Sequence, residues 1–124
     1  YCVELPSITA GEDTPVHALL RSASRPTAIV VSDDILALTL ERICTETGLS
    51  IPADLSILSF NNSLFARLTS PQLTSIDINS CQLGMEAAAQ MISHIENPGL
   101  PATKILVPHQ LIERDSCARP ASHE

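Results

Sequence analysis

Two apolar runs in this chain end in pairs of polar residues, and those pairs are its best candidates for binding a small ligand. Thr27–Ser32 (TAIVVS) stops at Asp33-Asp34, and Leu55–Phe60 (LSILSF) stops at Asn61-Asn62. A carboxylate accepts hydrogen bonds from two hydroxyls, and a carboxamide both donates and accepts, so Asp33 together with Asn61 suits a polyol. Each position also has a plainer reading. Asp33 and Asp34 could both cap a helix that begins beside them, and Asn61 and Asn62 could be turn residues; capping is favoured for Asp34 and the turn for Asn62. Other chemistries find little support. His17, His94, His109 and His123 lack metal-ligand spacing, and no Ser-His-Asp arrangement can be drawn. The 4 glycines are scattered, which excludes a phosphate cradle. The expectation is no catalytic group, no metal and no cofactor.

The elements that position these residues form one β-α-β unit. Both runs are short, apolar and bounded by turn signals, as buried parallel strands are. Between them Ile35–Thr47 has a helical pattern, with Leu36, Leu40, Ile43, Cys44 and Thr47 on one arc and Gly48 as its stop. Leu38 lies nearly opposite that arc, with Ile35 towards the same side, and reads as exposed. In open α/β sheets a ligand sits outside the carboxyl ends of the strands. Asp33 and Asn61 should therefore stand at the ends of neighbouring strands and face one crevice.

The flanking segments complete an α/β chain. Val3–Leu5 reads as a short strand and Val16–Ser22 as a helix, with Thr14 as its cap and Pro15 at its first position. Asn62–Pro71 is a surface segment with a helical turn that exposes Leu64, Phe65 and Leu68. Leu73–Ile78 alternates as a half-buried strand does. Asn79 opens a long helix, Ser80–Asn97, with Gln82 completing a loose capping box and with an apolar stripe of Leu83, Ala87, Ala88, Met91, Ile92 and Ile95. Lys104–Val107 and His109–Glu113 read as two strand pieces separated by Pro108, and Arg114 onward as a tail.

Composition narrows the function. The chain has 124 residues, enough for one domain or a piece of one, and 44% of them are apolar. Aromatics make up 2%, so the core is aliphatic and stacking surfaces are poor. Fourteen acidic side chains against seven basic ones give a net charge of −7, which argues against binding a phosphate backbone through this segment. No apolar run is long enough to span a bilayer and no signal peptide is visible. The cysteines Cys2, Cys44, Cys81 and Cys117 show no C-x-x-C pairing. They read as reduced structural thiols of a cytosolic protein, with a Cys2–Cys117 bridge left open.

From about Arg25 to Cys117 the chain resembles the carboxyl-terminal part of the effector-binding region of LacI/GalR-family transcription repressors. The resemblance rests on an ordered series at matching spacing: Val31-Ser32-Asp33-Asp34, Gly48-Leu49-Ser50-Ile51-Pro52, Asp54-Leu55-Ser56-Ile57, Ser59-Phe60-Asn61-Asn62, Leu73-Thr74-Ser75-Ile76, and the closing Leu111-Ile112-Glu113-Arg114-Asp115-Ser116. Phe60-Asn61-Asn62 and Pro108-His109 look most like maltose-type repressors within the family.

The resemblance implies a truncated periplasmic-binding-protein-like fold, with 1–77 in the carboxyl-terminal lobe, 78–107 crossing to the other lobe, and 108–124 returning. It implies a cytoplasmic, non-enzymatic sensor whose partners are a sugar effector and a second copy of itself. Contact with DNA would run only through a headpiece missing here. Asp33 falls where the family has an asparagine that binds sugar, and Asn61 where it commonly has an aspartate. The loop after the first strand, Ser7–Asp13, shows no convincing match to the family's further sugar contact. The same resemblance places Ile35, Leu38, Arg42, Leu64, Phe65 and Leu68 in a homodimer interface. Two other functions stay open on the residues alone. An exported sugar-binding transport protein would share the fold. A receiver-like domain could hold Mg²⁺ at Asp33-Asp34 for phosphoryl transfer, although Lys104 begins its strand instead of ending one.

Overall fold

The computed structural model describes residues 15–120. The expected Val3–Leu5 strand, the Thr14 cap and any bridge from Cys2 lie outside them.

Four strands form one open sheet in the order β1 (Ala28–Val30), β2 (Ser56–Phe60), β3 (Thr74–Asp77) and β4 (Gln110–Ile112). The first three run parallel, with Ala28 opposite Ser56 and Leu58 opposite Thr74. β4 closes the edge antiparallel, pairing Gln110 with Asp77. Around the sheet run α1 (Pro15–Arg21), α2 (Asp34–Thr47), α3 (Leu64–Leu68) and α4 (Ser80–Glu96). The core is aliphatic as composition requires: Leu20 of α1, Leu40 and Ile43 of α2, Leu55 and Ile57 around β2, and Leu73 before β3. α2 ends where its sequence says. Gly48, at φ 74°, adopts the left-handed conformation that a side chain would strain, and its N–H closes on Cys44 and Thr45.

The serines of β2 and β3 show how polar side chains survive at the centre of an apolar sheet. Asp34 is almost completely buried. Its Oδ1 accepts from Ser59 Oγ at 2.5 Å and Ser75 Oγ at 2.9 Å, and its Oδ2 from the Ser63 N–H at 2.6 Å. Burial alone would raise this carboxyl; hydrogen bonds from Ser59, Ser63 and Ser75 outweigh it and hold the group below its ordinary value. Lower down, Ser116 Oγ accepts from the Thr74 N–H at 2.8 Å and donates to the Ile57 carbonyl at 2.6 Å. Ala118 N–H donates to Ser56 Oγ. The closing Arg114–Ser116 motif is thus a clamp across the amino-terminal ends of β2 and β3, satisfying backbone groups that no neighbouring strand reaches.

Four expectations need correction. Asp34 is no cap: its side chain points into the core, and Asp33 takes the capping role. Leu38 is half-buried, because it sits one turn beyond Asp34 on the flank where α2 meets α3. Asn79 does precede α4, but at φ 54° its side chain bonds Gln82 Oε1 at 2.8 Å and caps no backbone N–H. Lys104–Val107 is irregular. A strand exists only where another strand pairs with it, and pairing here begins at Gln110. α4 shares that condition: no residue of it is buried, and Met91 and Ile95 are 67% and 72% exposed.

Two interior carboxyls carry opposite consequences for stability. Asp34→Ala removes the acceptor of the Ser75 hydroxyl and the Ser63 N–H and leaves Ser59 only the long bond to the Thr74 carbonyl, which should remove about 3 kcal/mol of unfolding free energy. Since the folded-state carboxyl lies below its usual 3.8, the part of that contribution that depends on its charge is present above 3.8 and is lost as pH falls through the folded value. Urea unfolding at pH 7 checks the size, and a loss no greater than for an exposed Asp would refute the network's role.

Glu41 behaves in reverse. Its Oε1 is buried without a hydrogen-bond partner, and burial pushes the carboxyl from 4.5 up to about 7. Between those values the unfolded chain is ionised and the folded one is not, so stability present below pH 4.5 is lost as pH rises through 7. Glu41→Gln should therefore unfold at higher urea than the parent at pH 8, by about 1–2 kcal/mol, and gain nothing at pH 4.5. The same gain at both pH values would show that Glu41 does not titrate in this way.

Candidate effector site

Asp33 and Asn61 stand at the carboxyl ends of β1 and β2, which are hydrogen-bonded neighbours. The pairing of Val30 with Leu58 continues as Val31 N–H donates to the Leu58 carbonyl at 2.9 Å, so both strands run out side by side. The two tips therefore meet at one edge of the sheet, as the spacing of the sequence predicts.

Asp33 is half-buried with an extended backbone, and its Oδ1 accepts from the Leu36 N–H at 2.8 Å. That is the second of the two roles its sequence allows. One carboxylate oxygen has several acceptor positions, so capping through Oδ1 leaves Oδ2 for a ligand hydroxyl. Asp34 is turned away into the serine cage, so the adjacent carboxylates face opposite sides. A receiver-like Mg²⁺ site needs both on one side, and among the described residues no three His, Cys, Asp or Glu gather into a metal set.

Asn61 is exposed, at φ 92°, and its N–H donates to the Ile76 carbonyl at 2.9 Å. Asn62 follows at φ 46°. Two successive residues beyond φ zero turn the chain sharply off the end of β2, and asparagine is among the few non-glycine residues that tolerate the region. The left-handed turn delivers the Asn61 side chain outward at the strand end. Asn62 is the turn residue that the sequence suggests, and it does more. Its N–H donates to Ser75 Oγ, its Nδ2 donates to Asp77 Oδ2 at 2.9 Å, and its Oδ1 accepts from Arg114 Nη2. Those bonds place Asn61 by fixing the residue beside it. Sequence reading passed over Asp77 and Arg114 in this role; a carboxylate in the last position of β3 beside Asn62 was the available signal.

The expected interface residues occupy two adjacent helices. Ile35 and Arg42 are exposed on α2, and Leu38 is half-buried there. Leu64, Phe65 and Leu68 are exposed on the five-residue α3, which packs beside α2 through Ala66 and the Ser63–Asp34 bond. Three large apolar side chains on five residues form a concentrated apolar surface. Cys44 lies on the buried face of α2, where burial first and Glu41 second push its thiol up to about 11, leaving it unreactive.

Known proteins share this fold. The profile of a periplasmic binding protein-like domain matches residues 3–117. The PurR-type transcriptional repressor of Pectobacterium carotovorum is 35% identical over 103 residues, covering 83% of this chain and 30% of its own length. The NtdR operon regulator of Bacillus subtilis is 32% identical, covering 81% of this chain and 31% of its own length. The chain thus spans about a third of these relatives. A LacI family regulator of Enterococcus faecalis, solved with bound ribose, superposes with a TM-score of 0.75 at 35% identity, over 83% of this chain and 38% of that one. The chain belongs to the periplasmic binding protein-like domain family, and its relatives within that family are LacI- and PurR-type transcriptional regulators.

Proposed function

We propose that this chain is the effector-reading and self-associating segment of a LacI-type transcriptional regulator. The observation that carries the reading is the placement of Asp33 and Asn61 on the adjoining tips of β1 and β2. An acceptor from one tip and a donor-acceptor from the other grip neighbouring hydroxyls of a small polyol, and sugar is the natural class. Ribose bound to a relative of 35% identity supports that class. Few aromatics in the chain favour recognition by hydrogen bonding over ring stacking. Residues 78–107 then belong to a second lobe, 1–77 and 108–124 to the first; the unburied α4 and the irregular return to Gln110 support this division. Binding between lobes alters their closure, and closure alters the spacing of DNA-binding parts elsewhere in the regulator. Such a protein works in the cytoplasm without catalysing a reaction. No helix among the described residues is long and apolar enough to cross a membrane.

The surface of Ile35, Leu38, Arg42, Leu64, Phe65 and Leu68 serves as a homodimer contact. Leu64 and Leu68 are 63% and 69% exposed, more than a short amphipathic helix at rest in water would leave bare.

Titration calorimetry of the full-length regulator with ribose and maltose tests the site. Asp33→Ala and Asn61→Ala should each weaken binding of the sugar that is taken by about tenfold, the loss expected for one hydrogen bond to a charged or buried group. Unchanged affinity in both variants would remove the effector site from these tips. Sedimentation tests the interface. Leu64→Glu with Leu68→Glu should convert a dimer to a monomer, and a parent protein that sediments as a monomer would refute the contact.

A further inference from the structure

The hydrogen bonds around Asn62 reach further than the turn they stabilise. Asp77 is the last residue of β3, and it pairs with Gln110, the first of β4. Everything between them, α4 and the irregular 97–109 segment, leaves the sheet at this one place and returns to it. Asp77 Oδ1 accepts from the Asn79 N–H at 2.8 Å, which holds the backbone just before α4. Asp77 Oδ2 accepts from Asn62 Nδ2, and Asn62 Oδ1 accepts from Arg114, whose other arm donates to the Leu73 carbonyl at 2.6 Å. The two oxygens of one carboxylate therefore join the turn that presents Asn61 to the stem that carries α4.

We infer that Asn62, Asp77 and Arg114 form a latch that couples the position of Asn61 to the orientation of α4, with Asn62 and Asp77 as its positioning residues. The geometry favours coupled motion over independent movement of the two ends. Asn62 donates through one end of its carboxamide and accepts through the other, so it cannot rotate without releasing either Asp77 or Arg114. The Asn62 bond, followed by the Asn79 N–H, also holds the Asp77 carboxyl below its usual value, so the charge that both donors need is secure at neutral pH. A ligand hydroxyl that drew Asn61 towards Asp33 would pull on Asn62 and, through Asp77, on the first turn of α4. The inference builds on the effector reading, but the latch itself can be tested without any ligand.

Amide hydrogen exchange at pH 7 on the full-length regulator, without ligand, reads both ends. The Asn61 N–H, bonded to Ile76, reports the tip, and the Leu83 N–H, bonded to the Asn79 carbonyl, reports the start of α4. The Ile57 N–H, bonded to Ser116, reports the core. Asn62→Ala should speed exchange at both Asn61 and Leu83 by about fivefold, the worth of one hydrogen bond, and leave Ile57 unchanged. Asp77→Ala should speed Leu83 at least as much, since it also frees the Asn79 N–H, and the double variant should fall short of the combined single effects, because both remove the Asn62–Asp77 bond. If Leu83 is unaffected by Asn62→Ala, if Ile57 speeds up in step, or if the two effects add, the latch is refuted. Should Asp77→Ala fail to fold, Asn62→Ala decides by itself. Failure of Asp33→Ala and Asn61→Ala to weaken sugar binding would overturn the effector reading and leave these exchange rates as they are.

Discussion

One buried carboxylate sets the architecture on which the rest depends. Asp34 brings together four parts of the chain that sequence keeps far apart: the start of α2, the centre of β2, the turn into α3 and the body of β3. Taking a charge out of water is costly, and the fold tolerates it only because three donors converge on it. That requirement is geometric as well as energetic. Two strands must be in register for Ser59 and Ser75 to meet one oxygen, and α3 must begin where Ser63 can meet the other. Aliphatic packing could accept several registers of such short strands; the donors around Asp34 accept one.

The same constraint orders the candidate site. With Asp34 fixed inward, its neighbour Asp33 has to lie on the other side of the chain, at the carboxyl edge of β1. With Ser59 fixed inward on β2, the strand must leave the core within two residues, and the left-handed Asn61-Asn62 turn takes it out. The placement of Asp33 and Asn61 is in this sense a consequence of the buried Asp34 and Ser59. A polyol site formed this way rests on strand ends that cannot drift independently, the kind of rigid support that hydrogen-bond recognition needs.

Much of this was legible in the sequence, and the limits have physical causes. The strands, α2 and its Gly48 stop follow from local pattern, and those positions are settled by contacts a few residues away. The side-by-side tips could be read too, since a β-α-β unit with so short a helix leaves its strands as neighbours. The exchange of roles between Asp33 and Asp34 could not. Both are adjacent carboxylates at a helix start, and only the distant Ser59, Ser63 and Ser75 decide which one turns inward. Serines inside the apolar LSILSF run and the alternating LTSIDI run are the clue, because a buried hydroxyl must find a partner. Leu38 was misjudged for a similar reason: the wheel of one helix says nothing about the flank that α3 covers.

Lys104–Val107 and α4 mark a different limit. Their sequences carry the signals of a strand and of an amphipathic helix, and the helix forms, since its hydrogen bonds are internal. The strand does not, since its hydrogen bonds must be answered by another segment. The same test distinguishes the two halves of the molecule. β2 and β3 are paired on both sides by strands of this chain, and the Ser116 clamp on Ile57 and Thr74 completes them. The excursion between Asp77 and Gln110 is bonded mostly within itself, along α4 and through Thr103 to Gln90, and its apolar side chains Met91, Ile92 and Ile95 lie open. The excursion leaves and rejoins the sheet where Asp77 pairs with Gln110, so this open stripe is tied to the sheet beside the turn that carries Asn61.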